Sequence, residues 1–461
     1  MSLYKKAILN SIGVSGINYV VYFINIGAQI LLARFLFPED YGIFLLALSI
    51  VEIISVIVFP ELSSACIYYQ KNKKVFHTAY FMSIIFFIFA IIISLLLLYS
   101  FYNYIDTTTI HLLIILIVFK FLYKVFTIYS TYIEKDINFI KLSIYKAFSR
   151  IIAIGIGVLL AYNGHSYDSL LAIEVINISL MIISFYYLSP LQVNKKYFDY
   201  TLVMPILFYS LKMLHNRLLE ILIHRIPTLL IEVITGNKQI IGLFDRANYI
   251  TGMPSTVTAP FHTKIVFVLF GKIKHNSEQL IKSLEWSLWF LLRIVTPMAV
   301  LTYLYTYEIV NFIFGENWIG MVDILKPLSL YMVTLLLFNV TKQIFFALNF
   351  TGIIIKMQYI FLLFLLFAFL SIWKFDYNWI TLSYAYGLGS LFTIFFIFYK
   401  LSALYTINYK FIFLFPIVFI LFILLAKINN ILLFVLIYFI FLFIFDYKNI
   451  LYIYSKIRNI I

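Results

Sequence analysis

One cysteine, Cys66, stands in a chain of 461 residues, which rules out an intrachain disulfide and any cysteine-based metal cluster. Charge is also scarce. Asp, Glu, Lys and Arg make up 12% of the residues, where a soluble domain carries roughly 25%. With 64% hydrophobic residues and a mean hydropathy of +1.00, the chain has too little polar surface to coat itself against water. Lipid is therefore the solvent of most of it. There is no Gly-x-x-x-x-Gly-Lys-Ser/Thr loop and no dinucleotide fingerprint, so neither nucleotide hydrolysis nor a cofactor is expected. Acidic residues are outnumbered 20 to 34 by Lys and Arg, a net charge of +14. No basic stripe interleaves with an aromatic platform, which argues against nucleic acid as a partner.

What is present is a succession of apolar runs. A spanning helix needs about 20 mostly apolar residues. Runs of that length predict an all-α polytopic membrane protein of about 14 transmembrane helices. They are Ser11–Leu32, Ile43–Ile67, Ala79–Phe101, Ile110–Tyr132, Leu142–Tyr162, Ser169–Leu188 and Val203–Ile234, then Gly242–Phe270, Leu284–Tyr305, Ile324–Leu348, Gly352–Trp373, Trp379–Leu401, Phe411–Ala426 and Ile431–Phe445. Lys5 and Lys6 precede a run with no small-residue cleavage site, so the first run is expected to be retained.

The basic residues fall in alternate connections: Lys71, Lys73 and Lys74; Lys135 and Lys141; Lys195 and Lys196; Lys272 and Lys274; Lys400 and Lys410. Asn103–Thr109 and Asn163–Asp168 have no Lys or Arg. The positive-inside rule then puts Lys5, Lys6, Lys456 and Arg458, and with them both termini, in the cytoplasm, as an even number of spans requires. No outer connection is long enough to be a domain.

The first and seventh runs end alike. Leu36-Phe37-Pro38-Glu39-Asp40-Tyr41-Gly42-Ile43-Phe44 and Gly236-Asn237-Lys238-Gln239-Ile240-Ile241-Gly242-Leu243-Phe244 both pass from a polar turn to Gly, an aliphatic residue and Phe. This echo suggests two six-helix halves, here 1–198 and 199–402, with 403–461 as two further helices and a tail.

A Lys, Arg or Asp at a bilayer centre costs roughly 2.5–3.5 kcal/mol by insertion scales, so each needs water, a partner or a ligand. In the seventh run Lys212, Asn216, Glu220 and His224 recur every four residues, and Arg217 falls on the same side. They cover an arc of roughly 140° at about 100° per residue, as expected of a helix lining an aqueous cavity. Lys120 and Lys124 lie one turn apart on the fourth run. Arg246 and Arg293 add cations, and Glu52, Glu174 and Glu232 add carboxylates. Lys120, Lys124, Lys212, Arg217, Arg246 and Arg293 are thus the expected cavity cations, and Glu220, Glu52 and Glu174 the carboxylates suited to ion coupling. Arg150 and Arg225 are expected to snorkel. Arg34, Glu39, Asp40 and Lys326 are expected to be solvated or to cap helices. His215, His224 and His262 show no metal-ligand spacing. Trp286, Trp289, Trp318, Trp373 and Trp379 fall near span ends, where an anchoring belt is the default. Which tyrosines face a cavity is not legible in the sequence alone.

Three segments resemble the polysaccharide-transporter (Wzx-type) branch of the multidrug/oligosaccharidyl-lipid/polysaccharide superfamily. They are Ala33-Arg34-Phe35-Leu36-Phe37-Pro38-Glu39-Asp40-Tyr41-Gly42; Gly242-Leu243-Phe244-Asp245-Arg246-Ala247 with Pro254 and Pro260; and Phe314-Gly315-Glu316-Asn317-Trp318 with Leu325-Lys326-Pro327-Leu328. The second is similar to the lipopolysaccharide and colanic-acid exporter subgroup in particular. The resemblance implies two six-helix lobes around a central cavity, with two extra helices. It also implies a cargo, an undecaprenyl-pyrophosphate-linked oligosaccharide moved to the periplasmic leaflet of a bacterial inner membrane for O-antigen or another surface polysaccharide. Membrane lipids and other polysaccharide-assembly membrane proteins are the implied partners. Flipping breaks no covalent bond, so a transporter rather than an enzyme is expected. A multidrug or organic-cation exporter of the same superfamily is the nearest alternative; a membrane-embedded glycan polymerase comes from a different class.

Overall fold

Proline sets the first departure from the hydropathy pattern. In the computed structural model, which describes residues 3–102, 105–135, 139–260, 270, 276–348, 350–375, 380–426 and 430–458, the run expected over Ile43–Ile67 is two helices. α2 (Pro38–Val58) stops at Phe59, whose N–H is donated to the Ser55 carbonyl at 2.9 Å, and α3 (Leu62–Tyr68) begins after Pro60 and Glu61. Pro60 has no N–H to continue the ladder and disfavours helical backbone at the residue before it. Lys272, Lys274, His262 and Trp379 lie outside the described residues.

Every regular element among the described residues is helical. Around α2 and α3 stand α1 (Leu3–Phe35), α4 (Lys74–Phe101), α5 (Thr107–Lys135), α6 (Phe139–Tyr162), α7 (Ser166–Leu188), α8 (Tyr200–Thr235) and α9 (Lys238–Pro260). There follow α10 (Ser277–Leu304), α11 (Thr306–Ile313), α12 (Val322–Ala347), α13 (Thr351–Phe375), α14 (Ile380–Leu404), α15 (Tyr409–Ala426) and α16 (Ile431–Arg458). Among the described residues, ten helical segments are long and apolar enough to cross a membrane, and two shorter apolar helices cover Tyr409–Ile423 and Ile431–Tyr447. α8 and α9 are long but polar: α8 carries Lys212, Arg217, Glu220, Arg225 and Glu232, and α9 carries Lys238, Asp245 and Arg246. The protein is an all-helical polytopic membrane protein.

The chain forms two compact units. The first comprises Met1–Arg246, Val310–Met321 and Phe369–Asp376. Within it α2 is central, packed against α5, α7 and α8, while α3 packs on α8 and α5. α8 opens on Asp199, whose carboxylate accepts the Thr201 N–H at 3.0 Å. The halves expected from the sequence place α8 after residue 198 with the second lobe; its packing on α2, α3 and α4 sets it in this first unit. The amino ends of α2 and α9 meet within the unit, where a methyl built on Gly42 would fall on the Lys238 carbonyl and one on Gly242 on the Pro38 carbonyl. Only glycine permits that backbone approach.

Trp318, expected in an anchoring belt, is fully buried in the first unit. It donates its indole N–H to the Ala33 carbonyl at 3.0 Å and stands edge-on to Tyr41. Arg34 donates to the Asn311 and Phe312 carbonyls at the end of α11, and the Asp40 carboxylate accepts the Phe37 N–H at 2.8 Å. Both act as caps, as expected.

The second unit comprises Ala247–Ile309, Val322–Ala368 and Tyr377–Ile461. Here α12 packs on α10 and α14, and α15 on α10 and α16. Asp446 of α16 is buried against α10: it accepts from Arg293 Nε at 2.9 Å and from Trp289 Nε1 at 2.9 Å. Arg293 also donates to the Ile412 carbonyl at 3.0 Å. Arg293 and Trp289 therefore hold the last helices in place, where the sequence suggested a cavity cation and a belt residue.

Candidate functional site

Four helices of the first unit turn charged side chains toward one another. Glu52 comes from α2, Lys120 and Lys124 from consecutive turns of α5, Glu174 and Asn177 from consecutive turns of α7, and Arg217, Glu220, His224 and Arg225 from α8. Together they line a cavity of about 570 Å³. Lys120 lies 3.0 Å from Glu174 and 3.8 Å from Glu52, and Arg225 donates to Glu52 at 2.7 Å. Arg150 of α6 approaches the other Glu174 oxygen at 3.7 Å. Two carboxylates are thus shared among three cations, a chain of pairs with excess positive charge. In a low-dielectric setting such sharing keeps each ion compensated without locking Lys120 to a single partner.

Toward the other end of the cavity the pairing loosens. Lys124 stands 3.8 Å from Glu61, an ion-pair distance beyond a direct hydrogen bond. Arg217 reaches Glu220 at 3.2 Å, three residues along the same helix, and about half of the Arg217 side chain is exposed. Asn177 Oδ1 is buried and has no hydrogen-bond partner among the described residues. The lining carries Lys120, Lys124, Arg217 and Arg225 against Glu52, Glu174 and Glu220, four cations to three carboxylates, with His224 beside them. An anion with several oxygens and neighbouring hydroxyls fits this set: loosely paired ammonium and guanidinium donors, and one open amide acceptor.

Glu174 and Arg225 also line a second cavity of about 180 Å³, with Arg150, Arg246, Asp245, Gln29 and Tyr41. Arg246 lies over the Tyr41 ring at 4.6 Å and donates to Asp245 and Gln29.

Among the cations expected from the sequence, Lys120, Lys124 and Arg217 share the larger cavity and Arg246 lines the smaller one. Lys212 is exposed on α8 and is not among the lining residues, and Arg293 belongs to the second unit with Asp446. Glu52, Glu174 and Glu220 all line the larger cavity. Arg150 and Arg225, expected to snorkel, instead hold Glu174 and Glu52, because α7 and α2 bring carboxylates within their reach. Glu61 was not singled out from the sequence. The signal was Pro60 beside it, which turns an apparent mid-span carboxylate into the N-cap of α3. Asn177, one turn after Glu174, carried a weaker signal of the same kind.

Residues 31–323 match the model of a family described as polysaccharide biosynthesis protein. No curated protein matches the chain in sequence. Among solved structures the chain is similar to the lipid II flippase MurJ in an inward closed conformation, with 17% identity, 96% of this chain and 100% of that one covered, and a TM-score of 0.73. It is also similar to an inward-facing multidrug resistance MATE family transporter of the MOP superfamily (13% identity, 86% and 98% covered, TM-score 0.66). A third likeness is to a MOP superfamily transporter from Pyrococcus furiosus, described as having a binding pocket of reverse polarity (13% identity, 87% and 96% covered, TM-score 0.59). At these identities the likenesses show the fold, that of the MOP transporters.

Proposed function

The chain belongs to the polysaccharide biosynthesis protein family, and from that premise we propose that it flips a lipid-linked oligosaccharide across the bacterial cytoplasmic membrane. The observation that carries the reading is the loosely paired Lys124 and the half-exposed Arg217 beside the Lys120–Glu174 and Arg225–Glu52 pairs in a helix-lined cavity. The cargo is an undecaprenyl-pyrophosphate-linked repeat unit. Its two phosphates cannot enter hydrocarbon unaided, and fixed Lys and Arg donors replace their lost hydration. Dispersed cations release what they bind, where one tight clamp would trap it. A cationic cargo is disfavoured because Glu52 and Glu174 are already held by Lys120, Arg150 and Arg225.

In this reading both termini are cytoplasmic, and the cargo enters from the cytoplasmic leaflet and leaves to the periplasmic one by alternating access of two lobes. It serves O-antigen or a related surface polysaccharide, alongside other assembly proteins of the membrane. The chemistry is transport rather than catalysis. Glu220, which shares Arg217 with the incoming phosphate, is the carboxylate placed for ion coupling, with Glu52 and Glu174 held in the network behind it.

Disrupting the gene tests the reading. One surface glycan should disappear while its lipid-linked repeat unit accumulates on the cytoplasmic leaflet. Unchanged glycans, or loss of the lipid-linked precursor itself, would contradict it.

A further inference from the structure

Tyr68, Tyr69 and Tyr209 form a cluster at one end of the charged face of α8. Tyr68 closes α3 and is 63% exposed, yet its ring is fixed: it stacks on Tyr209 at 4.4 Å and 25°, and meets Tyr69 edge-on at 4.8 Å. Tyr69 and Tyr209 are backed by buried Leu62, Ala65, Cys66 and Ile206. One face of Tyr68 is therefore occupied by Tyr209, and the ring is held in place by a packed base.

The cluster continues the cavity along two helices. On α8, Tyr209 lies seven residues before Asn216 and eleven before Glu220, within about 20° of both on the helix. It stands at the edge of the arc that lines the cavity farther along, next to Glu220. On α3, the chain runs from Glu61, paired to Lys124, to Tyr68 seven residues later. α3 packs on α8 and on α5, so both paths lead from the cations to the same stacked pair. The rise along α8 from Tyr209 to Arg217 is ~12 Å. Lys212, exposed and without an ion-pair partner among the described residues, lies one turn from Tyr209, on the flank of α8 away from the cavity lining. A tyrosine anchoring the protein in lipid would stand free on an outward face; this one is stacked on Tyr209, at the edge of the charged arc of α8.

We propose that Tyr68, stacked on Tyr209, is a sugar-binding platform: it takes the apolar C–H face of a pyranose ring in the lipid-linked glycan while Lys124 and Arg217 hold the phosphates. The inference rests on the flippase reading. The negative face of the phenol ring attracts the polarised C–H groups of the sugar, and Lys212 donates to its hydroxyls. The ~12 Å separation along α8 places the contact about two rings out from the phosphates, so the platform senses the glycan rather than the shared lipid diphosphate.

The test is binding by the full chain in nanodiscs, with two probes: a polyprenyl diphosphate bearing an oligosaccharide and the same lipid diphosphate bare. Tyr68→Ala should weaken binding of the glycan-bearing lipid roughly three- to tenfold and leave the bare lipid unchanged. Tyr68→Phe should bind both lipids like the wild type. Tyr68→Leu, which keeps apolar bulk without a π face, should behave like Tyr68→Ala and serves in its place if the alanine variant fails to insert. Lys124→Ala should weaken both lipids. Equal weakening of both lipids by Tyr68→Ala and Tyr68→Leu, or no change in either, overturns the platform while leaving the flippase reading intact. A wild-type protein that binds neither lipid overturns the flippase reading and the platform with it.

Discussion

Gly42 and Gly242 pack reciprocally: each is the fifth residue of its helix, and each lies against the carbonyl of the first residue of the other, Lys238 for Gly42 and Pro38 for Gly242. The crossing of α2 on α9 thus has an approximate two-fold arrangement. It leaves no room for a side chain on either partner.

Gly42→Ala and Gly242→Ala should each destabilise the packed protein by about 1–3 kcal/mol, the usual range for overpacking. Thermal unfolding in detergent measures it. Gly155→Ala, where nothing stands within 4 Å, is the control and should be neutral or slightly stabilising.

Lys238 also ties the start of α9 to the connection before α5, with its ammonium 2.9 Å from Asp106 and 3.7 Å from Glu232. Burial opposes the charge on Asp106, but the Lys238 ammonium and the Thr109 N–H and hydroxyl outweigh it, so its pKa lies below the ordinary aspartate value. A depressed carboxylate stabilises the folded state above its unfolded pKa, and that contribution fades as pH falls through the folded value. Burial lowers and then Asp106 and Glu232 raise the Lys238 pKa, with a net rise, so its contribution is lost only as pH climbs through that raised value. Melting temperature should therefore fall on acidification below the ordinary aspartate range, and Asp106→Asn should flatten that acid limb.

Asp446→Ala should cost about 3–5 kcal/mol of stability, because it leaves the Arg293 guanidinium buried without its counter-charge. Replacing both Arg293 and Asp446 by Leu should restore much of that loss, and the doubly substituted protein should bind lipid diphosphate as the wild type does. Stability restored but binding lost would return Arg293 to the cargo.

Arg225→Ala should lower both stability and cargo binding, because it frees Glu52 inside the network that also holds Lys120. Arg150→Ala should do the same through Glu174. Wild-type melting and binding in both variants would show that these arginines only reach for the interface.

The polar arc of α8 and the Lys120–Lys124 pair were legible in the sequence because helical periodicity puts them on one face whatever their partners. Most of the helices were legible because runs of about twenty apolar residues favour spanning helices; the break at Pro60 and the polar length of α8 and α9 were not. The partners were not. Glu52 and Arg225 are 173 residues apart, and Arg225 falls off the α8 arc; only the packing of α2 on α8 brings the two together. Arg293 reads like any intramembrane cation until α16 sets Asp446 beside it. Tyr68 is one tyrosine among 37, and its stack on Tyr209 exists only because Pro60 breaks the span and turns α3 against α8.

The most direct measurement of the central claim is the flipping rate of a polyprenyl-diphosphate oligosaccharide in proteoliposomes. The wild-type chain should move it between leaflets. Arg217→Ala should slow it at least about tenfold, equivalent to ~1.4 kcal/mol, at unchanged abundance in the membrane. Arg217→Lys should keep part of the rate, since the charge survives and the planar fork does not. A combined Lys120→Ala, Lys124→Ala and Arg217→Ala protein, present at wild-type abundance and flipping at the wild-type rate, would contradict the account.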